Sequence, residues 1–222
     1  MTATVTSPRQ VDPAEHAHAA ELAFLAAFDG GARPPGWRLT LTDFSPGMVD
    51  AARAALADRA EYAVADVQDL PFADESFDAA IANHMLFHVE DRPGALGEIA
   101  RVLRPGGAFR ATTIGQEHLR ELRELVTPPP ESQWAKTRER FTIEQVEDEL
   151  APFFVDVEVE PVPGPQDRQV TALEPLLDFV RSRGDVTEEQ LEPLRTAAEA
   201  EIVARGFFHV SRSSARVRAR KP

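Results

Sequence analysis

Helical and extended hydrophobic periods alternate along the first half of the chain. Met1 to Asp12 are mostly polar and read as a loose start. From Pro13 to Phe28, Ala19/Ala20, Leu22, Phe24/Leu25 and Phe28 recur at helical spacing, until Gly30-Gly31 and Pro34-Pro35-Gly36 stop the run. Trp37-Arg38-Leu39-Thr40-Leu41-Thr42-Asp43 then reads as a short strand ending in an acid. Ser45-Pro46 predicts a helix start, with serine as N-cap and proline at the first helical position; its apolar side is Met48, Ala52, Ala55 and Leu56. A second strand is predicted at Tyr62 to Val67 and a third at Phe77 to Ala82. Helix follows from Asp91 to Leu103, burying Leu96, Ile99 and Leu103, and Arg104-Pro105-Gly106-Gly107 turns the chain into a fourth strand, Ala108 to Ile114. Strands alternating with helices predict an α/β fold, a mostly parallel sheet covered by helices on both faces.

The rhythm changes after Gly115. A charged helix runs to Val126, and Pro128-Pro129-Pro130 breaks it. Thr142…Gln145, Thr171…Glu174 and Thr187…Gln190 each fit a capping box at a helix start. Between the first two, Phe153 to Val162 reads as a strand through Val155, Val157 and Val159. Gly206 reads as a helix stop, followed by a strand-like segment from Phe207 to Ala219.

Composition narrows the classes. With 24 Lys+Arg against 37 Asp+Glu, the net charge is −13, which repels nucleic acid and anionic membranes. The basic end (Arg212, Arg216, Arg218, Arg220 and Lys221) alternates with Val217 and Ala219 and reads as the solvent face of an edge strand, not a nucleic-acid arm. The absence of cysteine excludes disulfides and thiolate chemistry. The best apolar run, Ala19 to Phe28, contains Glu21 and is far shorter than the ~18 residues that span a bilayer. No secretory pattern opens the chain, and Lys136 and Lys221 are its only lysines, so a cytoplasmic bacterial protein is expected. Glycine is scarce, 12 against 18 prolines, which is unusual for an enzyme built on glycine-rich phosphate loops.

Open α/β sheets bind ligands at the carboxyl ends of their strands. There lie Asp43, then Asp66 in Ala65-Asp66-Val67-Gln68-Asp69-Leu70-Pro71-Phe72, then Asn83-His84. An acid at a strand end accepts from both hydroxyls of a ribose. A second acid twenty-three residues on accepts from the exocyclic amine of an adenine, with the Val67 amide serving a ring nitrogen. Taken alone, Asp43 is more simply a turn-forming acid near a helix N-terminus than a ligand. His84 is a possible general base, its ordinary pKa lying near neutrality. His84 and His88 have the i, i+4 spacing of a metal pair on one helix face, but no third ligand stands at a matching distance, and no metal site is assigned.

Thr40-Leu41-Thr42-Asp43-Phe44-Ser45-Pro46-Gly47-Met48, Ala65 to Asp78, Met85-Leu86-Phe87-His88-Val89 and Leu103-Arg104-Pro105-Gly106-Gly107 occur in an order that resembles class I S-adenosylmethionine-dependent methyltransferases. The likeness covers about Arg38 to Ile114, and Arg140-Phe141-Thr142 and the closing strand are similar to the tail of small-molecule members. The resemblance implies a Rossmann-like sheet with an antiparallel last strand, and S-adenosylmethionine as cofactor. It implies Asp43 on the ribose, Phe44 and Met48 beside the adenine, and Asp66 and Val67 on the adenine edge. Asn83 and His84 fall near the methyl group.

One family feature is absent: the first strand ending in a glycine-rich loop. Gly30-Gly31 lies too close to Trp37 for a crossover helix to intervene. The first strand is therefore missing or atypical; in the atypical case Thr2 to Thr6 supplies it and Pro13 to Phe28 its helix. The expected organisation is one domain over 1–222: an atypical N-terminal segment 1–37, a cofactor-binding core 38–115, a helical lid or substrate region 116–206 with one strand, and a closing strand 207–219. The expected function is methyl transfer to a small-molecule acceptor, with no nucleic-acid or membrane partner and the oligomeric state open. The alternatives are a non-catalytic methyltransferase-like binding protein or a truncated gene product. A nicotinamide-dependent reductase ranks last because it needs the glycine loop even more.

Overall fold

The computed structural model describes residues 2–6, 38–130, 132, 135, 140–162, 167–182 and 186–222, with only the backbone of 2–6. The helix expected from Pro13 to Phe28 lies outside the described residues.

Thr2–Thr6 (β1) forms a strand in the middle of the sheet, so of the two readings the first strand is atypical and not missing. It pairs in parallel with Leu39–Asp43 (β2) on one side and Phe77–Asn83 (β4) on the other. β-Branched threonine and valine suit a strand, but Thr-Ala-Thr-Val-Thr lacks the near-continuous apolar run that marks a central parallel strand. That composition hid it among polar neighbours. Glu61–Val64 (β3) closes one side of the sheet, and Leu103–Ile114 (β5) continues beyond β4. β3 stops at Val64 and not at Val67, which leaves Asp66 in the following loop.

Pro46–Leu56 (α1) follows β2. Its buried side chains are Met48, Val49 and Leu56, while Ala55 is exposed. Ser45 is the N-cap but makes no side-chain bond to the helix. Arg92–Val102 (α2) precedes β5, and the Asp91 Oδ1 caps it by accepting from the Gly94 N–H at 3.0 Å. Arg104 to Gly107 lie within β5 as an irregularity, where the register against β4 shifts between Phe77 and Ala79. Both glycines are required there. Gly106 has φ +75°, and a Cβ on Gly107 would stand 2.7 Å from the Arg104 carbonyl.

Beyond β5 the sheet becomes antiparallel through Ser214–Arg220 (β9) and then Val155–Pro161 (β6), giving the order β3-β2-β1-β4-β5-β9-β6. The basic terminal strand is therefore interior, contrary to the edge position expected of it. Its arginines face the alternating acids of β6: Arg218 pairs with Glu158 and Glu160, and Arg220 with Asp156, while Ala215, Val217 and Ala219 are buried. Lys221 Nζ donates to the Leu103 carbonyl at 2.7 Å. In β6 the register shifts between Val155 and Glu158, and Asp156 has φ 53°. This irregularity turns Val155 out to solvent, leaving Val157 and Val159 on the core.

The principal core lies against this sheet, with Leu96, Ile99 and Val102 of α2 and Phe109 stacked on Phe154 at 4.7 Å between ring centroids. Val146–Leu150 (α4) adds Val146 and Leu150, and the half-buried pair Arg92–Glu149, 2.7 Å apart, joins α2 to it.

A second core gathers Arg120–Leu125 (α3), Leu173–Arg181 (α5), Glu188–Arg205 (α6) and a two-stranded ribbon, Asp167–Val170 (β7) with Phe208–Ser211 (β8). The region 116–206 thus holds two strands, not one. The closing segment divides at the polar Arg212-Ser213 into β8 and β9, which belong to different sheets. Of the three capping boxes, only Thr187…Gln190 forms completely. At Thr142 the Gln145 side chain accepts from the Thr142 N–H, but the buried Thr142 hydroxyl has no partner among the described residues. Thr171 caps nothing, because α5 starts from Ala172. Gly206 ends α6 in the left-handed region at φ 83°, as its position predicts.

Candidate functional site

Strand register brings the predicted residues to one edge. Thr6 pairs with Asp43, Asp43 with Val64, and Asn83 with Thr112; Val5 pairs with Ala82, so Thr6 and Asn83 lie level. Asp43 ends β2 almost fully buried, at 3% exposure. Its Oδ1 accepts from the Ser45 N–H at 2.8 Å, a local turn that orients the carboxylate. Phe44 beside it is 59% exposed, an unusual position for a large apolar ring, and Met48 is buried one helical turn below.

The Asp66 loop is tied to Asp43 directly, the Ala65 N–H donating to the Asp43 carbonyl at 3.0 Å. Asp66 is half-buried and accepts from the Gln68 N–H at 2.9 Å and from Gln68 Nε2. Gln68 Oε1 in turn accepts from the Asp91 N–H at the start of α2, and Val67 is buried. The far end of the loop is clamped. Arg101 donates to the Leu70 and Phe72 carbonyls at 2.9 and 2.8 Å, and Glu98 Oε2 accepts from the Leu70 N–H at 2.8 Å. The Arg101 guanidinium holds the Glu98 carboxyl below its ordinary pKa, against the opposing effect of burial, with the Leu70 N–H assisting.

Asn83 is half-buried at the end of β4. His84 follows with φ 48°, a conformation uncommon for a residue with a side chain, held by its N–H donating to Thr112 Oγ1 at 2.9 Å. His84 and His88 do not share a helix face: the left-handed His84 lies outside the single 3-10 turn Leu86–His88. The His84 residue is solvent-exposed, yet desolvation by the surrounding protein lowers its pKa below the ordinary value, and the positive charge of Arg212 lowers it further.

Alongside, a cavity of about 860 Å³ opens between α3, α5 and the β7–β8 ribbon. Arg168 and Arg212 line it together with Leu122, Leu176, Phe179 and Val210. Sequence reasoning missed this cavity, the Arg101–Glu98 clamp and the Thr112 anchor. The Ser211-Arg212-Ser213 break in an otherwise alternating run was the one available signal for the first. The reach of Arg101 back to Leu70 and of His84 to Thr112 spans about thirty positions each, and only the i, i+3 spacing of Glu98 and Arg101 is local.

A mainly parallel sheet continued by two antiparallel strands, with Asp43 and Asp66 at the carboxyl edge of its parallel part, has the architecture of a Rossmann-like fold. Comparison with known proteins agrees. Residues 23–111 match the family model described as a methyltransferase domain. Malonyl-[acyl-carrier protein] O-methyltransferase of Serratia marcescens is 36% identical over 90 residues, 40% of this chain and 35% of that protein. The matched region spans about a third of the length of such curated relatives. Among solved structures, the YcgJ protein of Bacillus subtilis superposes with a TM-score of 0.60 at 16% identity, covering 99% of this chain and 91% of that one. Phosphoethanolamine N-methyltransferase 2 of Haemonchus contortus, solved with S-adenosylhomocysteine, gives 0.54 at 19% identity, covering 100% of this chain and 49% of that one. Residues 23–111 are thus similar in sequence to methyltransferase domains, and the chain as a whole shares their Rossmann-like fold.

Proposed function

We propose that this edge of the sheet binds S-adenosylmethionine and that the chain transfers its methyl group to a small molecule. The supporting observation is the convergence of Asp43, Asp66 and Asn83 on one edge, fixed by strand register and by the Ala65–Asp43 backbone bond. The residues present fit the cofactor: a buried strand-end carboxylate stands beside an exposed Phe44, which offers an apolar face to a purine. In this reading Asp43 accepts from the ribose hydroxyls, Phe44 and Met48 flank the adenine, and Asp66 and the Val67 N–H take its polar edge. The 38–115 core holds the cofactor and 116–206 the acceptor.

The bound cofactor supplies a methyl group made electrophilic by its sulfonium. The protein's contribution is chiefly to hold acceptor and methyl in line and to exclude water, which removes much of the entropic barrier. In this reading Asn83 and His84, at the carboxyl end of β4, would adjoin that line. The lowered pKa keeps the His84 imidazole neutral at pH 7, the state able to accept the acceptor's proton.

Isothermal titration with S-adenosylhomocysteine tests the reading. Wild type is expected to bind at micromolar concentration, and Asp43→Ala and Asp66→Ala each to weaken binding about tenfold or more. No binding to wild type refutes it. A second reading, a non-catalytic binding protein of the same fold, is favoured by one feature: no glycine occurs between Thr6 and Gly30, where the family's loop belongs. Methyl transfer to any member of a small-molecule panel removes that reading.

A further inference from the structure

The cavity beside His84 has a mixed lining that specifies a ligand. Its depth is apolar: Leu122, Leu176 and Val210 are buried, and Phe179 keeps 39% of its surface exposed. Two guanidiniums, Arg168 and Arg212, stand on its lining, both on exposed residues. Neither forms an ion pair among the described residues. By contrast, Arg181 and Arg195 in the same lobe are tied to Glu174 and Glu188, and Arg218 and Arg220 are tied to β6. Two cations at an apolar cavity with no carboxylate paired to them among the described residues suit an external anion.

The cavity also adjoins the proposed methyl-transfer position. Arg212 lies two residues before Ser214, which pairs with Ile114. Ile114 ends β5 on the same side of the sheet as the carboxyl end of β4, where Asn83 pairs with Thr112, the anchor of His84, so Arg212 lies beyond that end of the sheet. Arg212, on one wall of the cavity, is the second cause after desolvation that lowers the His84 pKa, and His84 follows the carboxyl end of β4.

We propose that this cavity is the acceptor site and that it selects a small carboxylic acid with an apolar body, the carboxylate held by Arg168 and Arg212 and the body by Leu122, Leu176, Val210 and Phe179. Its role as acceptor site rests on the methyltransferase reading; its selectivity for an acid does not. Nothing in the cofactor edge contributes to this lining, so the two sites can be disabled separately.

The test is titration of wild type, Arg168→Gln and Arg212→Gln with 1-naphthoate and with its neutral counterpart 1-naphthamide, alongside S-adenosylhomocysteine. Both arginines are exposed, and thermal melts establish that the variants fold. Wild type is expected to prefer naphthoate about tenfold, each variant to lose most of that preference, and naphthamide affinity to stay within about twofold throughout. Arg168→Gln is expected to bind S-adenosylhomocysteine like wild type. Equal binding of the two aromatic ligands by wild type, or naphthoate affinity unmoved in both variants, overturns the proposal. Naphthoate selectivity without any S-adenosylhomocysteine binding upholds the acid site and defeats the methyltransferase reading instead.

Discussion

Arg101 makes five hydrogen bonds: to the Leu70 and Phe72 carbonyls, to both oxygens of Glu98 and to Asp74. Replacing it with alanine removes the brace behind the Asp66 loop. The two carbonyl bonds are worth about 1 kcal/mol each. The forked pair with Glu98, whose side chain is 21% exposed, adds about 1 kcal/mol, while the Asp74 contact, with its carboxylate 75% exposed, adds almost nothing. The sum is about 3 kcal/mol, a fall in Tm of about 6–12 °C for a protein of this size. Arg101→Lys restores less than half, because an ammonium cannot reproduce the fork.

Urea unfolding at two pH values separates the contributions. Glu98 has a folded pKa below its ordinary 4.5, so its stabilisation is complete above that value and is lost as pH falls through the lower folded one. The difference between wild type and Arg101→Ala is therefore largest at neutral pH and shrinks in acid, and Glu98→Gln abolishes that pH dependence. S-adenosylhomocysteine affinity should fall as well, since the loop that carries Asp66 loses its fixed end. A destabilisation below about 1 kcal/mol at neutral pH, or one that does not vary with pH, refutes this account of the clamp.

Arg212→Gln removes one of the two influences that lower the His84 pKa, so the His84 ring titration followed by NMR should move part of the way back toward 6.5. Because the folded value is the lower one, protonation of His84 opposes folding as pH falls below 6.5, and the variant should relieve part of that loss. Thr187→Ala breaks a complete capping box and should cost about 1 kcal/mol in denaturant unfolding, whereas Thr171→Ala, in the same sequence pattern, should fall within about 0.5 kcal/mol of zero.

The contrast between those two threonines marks where sequence stops. Local chemistry fixed the helix stop at Gly206, the strand ending in Asp43 and the α/β alternation, because each depends on neighbours a few residues away. A capping pattern predicts a box only if the helix begins there, and packing of Leu176, Leu177 and Val180 started α5 from Ala172 instead. The acids of the candidate site and their shared edge were legible from the strand–helix alternation and the motifs that carry them, but what holds that edge together was not. It depends on β1, a threonine-rich strand that joins β2 to β4 through backbone pairing rather than through an apolar signature. The basic terminal strand looked like an edge because its arginines alternate with small apolar residues. Tertiary structure placed it inside the sheet by matching those arginines to the acids of β6. Arg168 and Arg212 stand forty-four residues apart, and only the closing of the β7–β8 ribbon over α3 and α5 brings them to one cavity.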